Sequence, residues 1–599
     1  MNESNRNLIL AVVLSAAVLF GWQYFVAGPA MKADQARQAL LHKEEKKPAG
    51  PGAVPTVAGG AAHMTRAKAL EAGGQRVRID TPDVDGSLLL KGARIDDLRL
   101  KKYRETTDPK SQEIILLAPK GTDYPYFVDF GWANAAGVNL PVPNDQTPWK
   151  LKSGSALTPG QSVTLEWDNG HGLLFTRQIS VDDQYMFTVT DSVTNKGSNA
   201  ATLYPYALVV RDGVPATQNY WVLHEGFVGY ADTLVDPSYS DFKDEGTPPK
   251  TFSANSGWAG ITDKYWMAAV IPPQGEKFDG SFHAETFNSV KAYYADYHLG
   301  ARNAAAGGGT VSVTHHLFAG AKVVDTLRHY ENSLHIDSFV MAVDWGWFRP
   351  ITQPLFWVLD YFYKLIGNFG LAILLLTVCV KLVTFPIANA SAKTMAKMKK
   401  IQPQQEAIKT QFPDDPVKQQ QAIMELYRKE KVNPVTGCVP QLLVIPVFFS
   451  LYKVFFVTIE MRHAPFYGWV SDLSAPDPTS IINLFGLLPF SPPHWIPAFL
   501  AIGIWPIIMG MTQWVQTKLN PTPADPIQAR MFGLMPIMFT FMFATFPVGL
   551  VIYYTWNNIL GVAQQWYIMS RQGVEVHLFK NLGETWRRLT RSGKPKPAE

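Results

Sequence analysis

Residues 372–387 read AILLLTVCVKLVTFPI, an apolar run interrupted by one charge, at Lys381. Such a run is typical of a membrane-spanning helix, in which a lysine costs about 3 kcal/mol on insertion scales. Thr377 lies four residues before Lys381 and Thr384 three residues after it, so a helix places all three on one face. The sequence therefore predicts a membrane helix with one polar stripe, and these three residues are candidate binding residues.

Two interpretations of Lys381 stay open at this stage. In the structural one, the ammonium group extends to the lipid headgroups, which lie roughly 10 Å away at the helix end. In the functional one, it binds a guest, because the five predicted C-terminal spans contain no Asp or Glu to pair with it. Pro386 is expected to bend or end the helix nearby.

Apolar stretches elsewhere in the chain predict further spans. An N-terminal run predicts an anchor over residues 1–27, with a cleaved signal peptide as the alternative. Phe546-Pro547-Val548-Gly549 divides the last long stretch in two. We therefore expect six transmembrane helices, five of them in a C-terminal bundle over 365–570. The five spans are 366–388, 438–458, 495–517, 531–546 and 549–569.

Between the anchor and the bundle the chain reads as a water-soluble domain. Residues 28–75 lack a sustained apolar period and predict a flexible linker. Short alternating runs separated by turn residues over 76–335 predict an all-β antiparallel sandwich, with a helix near its end. Residues 336–364, rich in Trp, Phe and Tyr, predict an amphipathic segment at the membrane interface.

Charge indicates the orientation of the chain. The 389–437 loop carries nine Lys/Arg and five Asp/Glu, and the tail 571–599 carries seven Lys/Arg and three acids. The positive-inside rule then places both of these segments, and the N-terminus, in the cytoplasm. The β domain is expected outside, which in a bacterium means the periplasm. The net charge of +4 gives no reason to expect nucleic-acid binding.

The basic 389–437 loop predicts a cytoplasmic hairpin of two helices. Apolar side chains alternate with positive charge along both, and we expect four of them to contact transient hydrophobic partners. A self-packed hairpin with a solvated face is the alternative. The four candidate contact residues are Met395, Met398, Ile408 and Met424.

Other polar residues in the spans extend the candidate groove, although such residues also join membrane helices as ordinary packing contacts. They are Gln441, Tyr554, Asn557 and Asn558. No metal-ligand spacing, phosphate loop or nucleophile motif is present in the sequence, so we expect no metal, no cofactor and no catalytic residue, and the protein is not expected to be an enzyme.

Two motifs carry a family resemblance. KVNPVTGCVPQ at 431–441 and FPVGLVIYY at 546–554 resemble the YidC, Oxa and Albino family of membrane insertases, in its Gram-negative form with a large periplasmic domain. Supporting matches are MAKM at 395–398, LSAPDP at 473–478 and Asn520-Pro521. An apolar, proline-rich insert at about 480–494 has no role that the resemblance supplies.

The resemblance implies a fold and a function. It implies a five-helix core with a polar groove open to the cytoplasm and lipid, and a periplasmic β-supersandwich. Lys381 occupies the place where bacterial members usually carry arginine, and lysine keeps the charge without the bidentate fork. Thr377 and Tyr554 match groove positions. The expected function is insertion and assembly of inner-membrane proteins, alone or with the Sec translocon.

The implied partners are nascent membrane proteins, the Sec translocon, the lipid bilayer and, at the hairpin and tail, the ribosome or signal-recognition machinery. Three rival functions remain in view. A small-molecule or ion transporter also places a charge in the membrane. A membrane-anchored carbohydrate-active enzyme uses its β domain for chemistry. A passive assembly scaffold does not need Lys381.

Overall fold

The structure is a computed structural model, and it describes residues 54, 63–215, 223–287, 290–413, 415–430, 434–488, 501–519 and 526–571. The predicted anchor, most of the predicted linker and the predicted tail lie outside these residues. The chain forms two compact units, Met1–Asp344 and Trp345–Glu599. Each unit is described by itself below.

The first unit is built almost entirely from β-strands, flanked by helices α1 (Arg66–Gly73) and α2 (Val324–Ser333). In chain order the strands are β1 (Arg76–Asp80), β2 (Val84–Leu89), β3 (Arg94–Arg104), β4 (Glu113–Leu117), β5 (Tyr126–Asn134), β6 (Lys150–Ser153), β7 (Ala156–Leu157), β8 (Val163–Asp168), β9 (Leu173–Val181), β10 (Met186–Asn195), β11 (Ala201–Asp212), β12 (Gly226–Ala231), β13 (Thr233–Val235), β14 (Lys250–Ala254), β15 (Gly257–Thr262), β16 (Trp266–Ile271), β17 (Phe278–Phe287), β18 (Val290–Leu299), β19 (Arg302–Ala304) and β20 (Gly309–Ala321).

These strands form two sheets. The first runs β14-β17-β18-β11-β5-β3-β2-β1-β7, with β19 on β11 and β4 on β3, and the second runs β13-β12-β15-β16-β20-β10-β9-β8-β6. Along β10 the period of two is strict, since Val189 and Val193 are buried while Thr190 and Thr194 pair with hydroxyls of β20 on the other face. The predicted large all-β domain is confirmed.

A buried arginine joins the two sheets. Arg177 on β9 forms a bidentate pair with Asp191 on β10, with N–O distances of 2.7 and 2.9 Å. The same guanidinium donates to the carbonyl oxygen of Phe130, on β5 of the first sheet, at 2.7 Å. It also donates to the carbonyl oxygen of Ala93, in the turn before β3 of that sheet, at 3.3 Å. Because both charges are fully buried, removal of either partner leaves an uncompensated charge in the core.

One helix lies inside the predicted linker. Helix α1 begins at Arg66, whose Nε donates to Asp97 on β3 at 2.8 Å. The contact with this buried carboxylate holds α1 in place. The weak apolar pattern of residues 66–73 does not predict this helix. Val54, farther toward the N-terminus, packs against a hydrophobic cluster that includes Tyr206 and Val210. The predicted linker 28–75 is therefore structured over part of its length.

The second unit is helical. Its helices are α3 (Arg349–Ile366), α4 (Phe369–Gln411), α5 (Pro416–Lys429), α6 (Pro434–Val457), α7 (Ile504–Leu519), α8 (Pro526–Phe543) and α9 (Val548–Arg571). Helix α3 is amphipathic as expected, with Phe356 and Leu359 buried and Trp357 and Tyr361 exposed. The break between α8 and α9 falls at the predicted Phe-Pro-Val-Gly turn.

Several predicted helix boundaries differ from the structure, since α6 begins at Pro434 rather than 438 and α8 at Pro526 rather than 531. Helix α4 continues through Pro386 for 43 residues, so the span 366–388 and the first hairpin helix are one element. The proline removes only one backbone donor, that for the Leu382 carbonyl, and the remaining ladder carries the helix on. Helix α7 begins at Ile504, where side chains of a preceding loop cap its N-terminus, and residues 495–500 of the predicted span lie outside the described residues.

Among the described residues, Phe369–Gln411 is the one helix long and apolar enough to cross a membrane by length and composition. The apolar helical stretches Ile445–Val457 and Arg530–Phe543 are shorter. A large β domain and a helical C-terminal region are therefore established, and the count of six transmembrane helices stays a prediction.

Asp212 on β11 gives a pH-dependent test of the β domain. Its side chain is fully buried, and neither carboxylate oxygen has a hydrogen-bond partner among the described residues. Burial raises the pKa of Asp212 to about 6, against the opposing charges of Lys120 and Arg94. A raised carboxyl pKa means that the folded state binds the proton more tightly than the unfolded state does, so the cost to stability grows as pH rises from about 4 to 6 and is complete above pH 6.

We expect Asp212→Asn to increase the free energy of unfolding by about 2 kcal/mol at pH 8 and to leave it nearly unchanged at pH 4. Urea unfolding of a fragment spanning residues 64–344, followed by tryptophan fluorescence, measures this difference. Asp183→Asn, at an exposed position, is the matched control and should change neither value. Equal effects of Asp212→Asn at both pH values would contradict the assignment.

Candidate functional site

Three helices of the second unit meet at Lys381. A Cβ atom built on Gly561 of α9 lies 3.5 Å from Lys381 Nζ of α4 and 3.2 Å from Gln516 Nε2 of α7. The ammonium group of Lys381 and the amide group of Gln516 therefore both lie next to Gly561 on α9. Because Gly561 has no side chain, it leaves the space into which both polar ends project.

The surroundings of Lys381 are apolar on one side and polar on the other. Its neighbours Leu382 and Val383 are mostly exposed, as expected of side chains that face lipid. Lys381 itself is half-buried, and it lies about 18 Å along the axis from the start of α4. Within the described part of the chain, no carboxylate oxygen lies within 4.0 Å of its ammonium nitrogen.

Both predicted threonines lie on the same helix as Lys381, and each uses its hydroxyl locally. Thr377 is buried and donates to the Ile373 carbonyl at 2.7 Å. Thr384 is half-buried and donates to the Val380 carbonyl at 2.9 Å. Both hydroxyl hydrogens are therefore occupied, and each threonine retains only oxygen lone pairs as acceptors.

The predicted residues of α9 have different surroundings. Asn558 is buried and donates to Thr512 Oγ1 on α7 at 3.2 Å, which is a helix-to-helix contact. Tyr554 is half-buried, with its ring 5.1 Å from Phe448 and 4.7 Å from Phe543. Asn557 is half-buried, and the side chain of Gln441 lies outside the described residues.

Aromatic rings pack together at the end of the bundle where α9 begins. The rings of Tyr452 and Phe456 on α6 lie 4.5 Å apart, and Tyr452 lies 5.8 Å from Phe546. Phe543 in turn lies 5.2 Å from Phe546. This packing joins α6, α8 and α9, and it fills the space between them on that side of Tyr554.

A short polar loop sets the starting points of α7 and α9. Asp477 Oδ2 accepts the Trp505 amide of α7 at 2.9 Å, and Thr479 Oγ1 accepts the Ile504 amide at 3.0 Å. The carbonyl oxygens of Ala475 and Leu473 accept the first amides of α9, at 2.7 and 3.0 Å. The LSAPDP motif thus satisfies helix N-terminal donors that otherwise lack partners.

Sequence reasoning missed Gln516 and Lys453. Gln516 stands out as an amide in an apolar helix, but only the three-dimensional register of α7 brings it to Lys381. Lys453 is a second lysine within a predicted span, and it is buried near the end of α6 with its side chain against Gly346. Lys453 makes interactions of its own, so it differs from Lys381.

The hairpin residues divide into two groups. Met395 is half-buried, with Gln565 Nε2 of α9 4.0 Å from its sulfur, so it faces the bundle. Met398 and Ile408 are also half-buried, whereas Met424 is 47% exposed. The hairpin packs on itself through Gln405, which donates to the Tyr427 hydroxyl at 3.2 Å. Met424 is therefore the best placed of the four for an outside contact.

The described residues define a protein with a large all-β domain and a helical region that contains a helix apolar enough to cross a membrane. The family model for the YidC periplasmic domain matches residues 76–358, and the model for the 60Kd inner membrane protein matches 361–575. The membrane protein insertase YidC of Methylobacterium radiotolerans is 51% identical over 98% of both chains. The membrane protein insertase YidC of Rhizobium meliloti is 49% identical over the full length of both chains.

A crystal structure of an active YidC insertase is similar at 19% identity and a TM-score of 0.36. The match covers 82% of this chain and 93% of the insertase chain. The chain belongs to the YidC family of membrane protein insertases. The resemblance stated from the two sequence motifs is thereby confirmed. The transporter and carbohydrate-active enzyme rivals receive no support from these relatives.

Asp477 should be a main determinant of bundle stability. Besides the Trp505 amide it accepts from the Trp469 indole at 3.1 Å and from the Thr479 amide and hydroxyl at 3.0 and 2.7 Å. We expect Asp477→Ala to cost about 2–4 kcal/mol, since several donors lose their acceptor in a buried place. Thermal unfolding in detergent measures the loss.

Asp415→Ala is the matched control, because Asp415 also caps a helix, accepting the Lys418 amide at 3.1 Å, but in the exposed hairpin. Its loss should cost about 1 kcal/mol or less. Equal unfolding temperatures for the two variants would show that Asp477 does not hold the bundle together.

Proposed function

We propose that this protein inserts nascent proteins into the bacterial inner membrane, using Lys381 to attract an acidic or polar tail into a groove between α4, α7 and α9. The observation that carries the proposal is the half-buried ammonium group, which has no carboxylate partner in the described residues and faces an amide and a glycine gap. An intramembrane cation normally pairs within its bundle, so this one is suited to an acidic guest.

The electrostatic attraction is large enough to matter. Two unit charges 4 Å apart interact by about 4 kcal/mol at an effective dielectric constant of 20. Gln516 can donate to the same carboxylate through its amide hydrogens. The groove would therefore hold the tail by one charge-assisted contact and one neutral hydrogen bond, which is weak enough to let the tail leave again.

The hydrophobic part of the client follows a different surface. Helix α8 exposes Met531, Leu534, Ile537 and Met538, and their spacing places them along one side of the helix. We propose that the client's apolar segment slides along this side into lipid, driven by transfer of some 20 apolar residues. Methionine side chains adapt to varied client sequences.

The orientation and partners complete the proposal. The basic hairpin and the C-terminal tail lie in the cytoplasm, with the N-terminus on the same side, and the β domain lies in the periplasm. Met424 meets the client first, near the ribosome or signal-recognition machinery. The groove acts alone on small clients and beside the Sec translocon on larger ones.

Lys381→Ala, Lys381→Arg and Lys381→Glu test the role of the charge. In proteoliposomes, with a single-span client whose short N-terminal tail is acidic, protease protection of that tail reports insertion. We expect Arg to keep most of the activity, Ala to lose at least ten-fold, and Glu to lose more because it repels the tail. Lys393→Ala, an exposed lysine farther along α4, is the matched control.

A client with a basic tail sharpens the result, since Lys381→Glu should insert it better than the unmodified protein does. Full activity of the Ala and Glu variants on the acidic client would rule out electrostatic capture. No insertion by the unmodified protein would favour the passive scaffold.

A further inference from the structure

A second apolar surface lies in the connection between α6 and α7, within the insert at 480–494. The described part of this insert, residues 481–488, forms a compact turn that we call the knuckle. From 478 to 503 the sequence contains no Asp, Glu, Lys or Arg. Five large apolar side chains of the knuckle are between 39% and 83% exposed, namely Ile481, Leu484, Phe485, Leu487 and Leu488.

The polar atoms of the knuckle point inward. Asn483 is buried, and its Oδ1 accepts the Ser480 and Gly486 amides at 2.9 and 2.8 Å. The amide of Phe485 donates to the Ser480 carbonyl at 2.7 Å, and that of Leu488 donates to the Asn483 carbonyl at 3.1 Å. A water-exposed turn has the opposite arrangement, with polar groups outside, so this turn is built for an apolar medium.

The backbone is strained in a way that presents these side chains. Leu484 has φ 49° and Phe485 has φ 58°, a left-handed conformation that large apolar residues rarely adopt. Asn or Gly at these positions would relieve the strain. Leucine and phenylalanine occupy these positions instead. We infer that the contact of their exposed side chains with another medium compensates for the strained backbone.

The location of the knuckle indicates what buries them. It joins two helices of the membrane core, and Tyr467 and Trp469 in the same connection are exposed, as expected of residues at the headgroup level. A lipid-facing segment must satisfy its own backbone hydrogen bonds, and the amides of Phe485 and Leu488 do so within the turn. A protein–protein interface usually has a polar rim around its apolar centre. Residues 478–503 contain no charged side chain, so the acyl chains of lipid fit this surface better than a partner protein does.

We propose that residues 481–488 insert into the acyl region of the periplasmic leaflet of the bilayer, as a fixed hydrophobic anchor at the end of the bundle where α7 and α9 begin. This inference rests on the membrane location of the family and not on the role of Lys381. The anchor holds the connection to α7 at a constant depth, and Asp477 in turn fixes the start of α7.

Site-specific labelling tests the depth of the knuckle. Leu487→Cys, in a chain whose two native cysteines are replaced by alanine, is labelled with an environment-sensitive fluorophore and reconstituted in vesicles of phosphatidylethanolamine and phosphatidylglycerol. We expect a blue-shifted emission, quenching by lipids that carry a nitroxide on the acyl chain, and protection from aqueous iodide. Lys110→Cys, on an exposed turn of the β domain, is the control and should give the reverse.

Two results would overturn the proposal. Quenching of the Leu487 label by iodide would place the knuckle in water. Protection from both quenchers would place it against protein, either a second copy or a partner.

A second variant separates folding from lipid contact. Phe485→Asn suits the left-handed backbone, so the full-length protein should fold at least as well and keep its unfolding temperature. The lipid quenching of the Leu487 label should fall at least two-fold in this variant. Unchanged quenching would contradict the anchor, whereas the outcome of the Lys381 insertion assay has no bearing on it.

Discussion

The carboxylate of Asp477 is the contact on which the geometry of the bundle depends. It holds the first turn of α7, and the carbonyl groups of Leu473 and Ala475, four and two residues earlier, hold the first turn of α9. One short loop therefore fixes the axial position of two helices at once. A helix that slips by one turn moves its side chains by about 5.4 Å, so this capping decides which residues of α7 and α9 face each other.

The polar site follows from that constraint. Gln516 lies near the far end of α7 and Gly561 just past the middle of α9, and they meet Lys381 only if both helices start where the loop places them. Asn558, which donates to Thr512, joins the two helices between the loop and the site. The capping loop and the contact between Asn558 and Thr512 therefore fix α7 against α9 before the two helices reach Lys381.

Much of this arrangement could be predicted from the sequence, because it depends on local period and composition. Alternation of apolar and polar residues predicted the β domain, and Pro547 with Gly549 predicted the break before α9. Spacing alone placed Thr377 and Thr384 on the face of Lys381. The meeting of Gln516 with Lys381 could not be predicted, since it depends on contacts between helices far apart in the chain. The continuation of α4 through Pro386 could not be predicted either, because the other backbone hydrogen bonds of the helix outweigh the loss of one donor.

The two lysines of the bundle show why composition alone does not reveal a site. Lys381 and Lys453 both interrupt apolar helices, and composition alone marks each of them as a charge within a predicted span. Lys453 lies about one turn from the end of α6, packs its side-chain carbons against Gly346 and makes an interaction of its own. Lys381 lies in mid-helix beside a glycine gap, with an amide as its neighbour and no carboxylate among the described residues. This difference between the two lysines underlies our proposal that an acidic segment is drawn to Lys381 and not to Lys453.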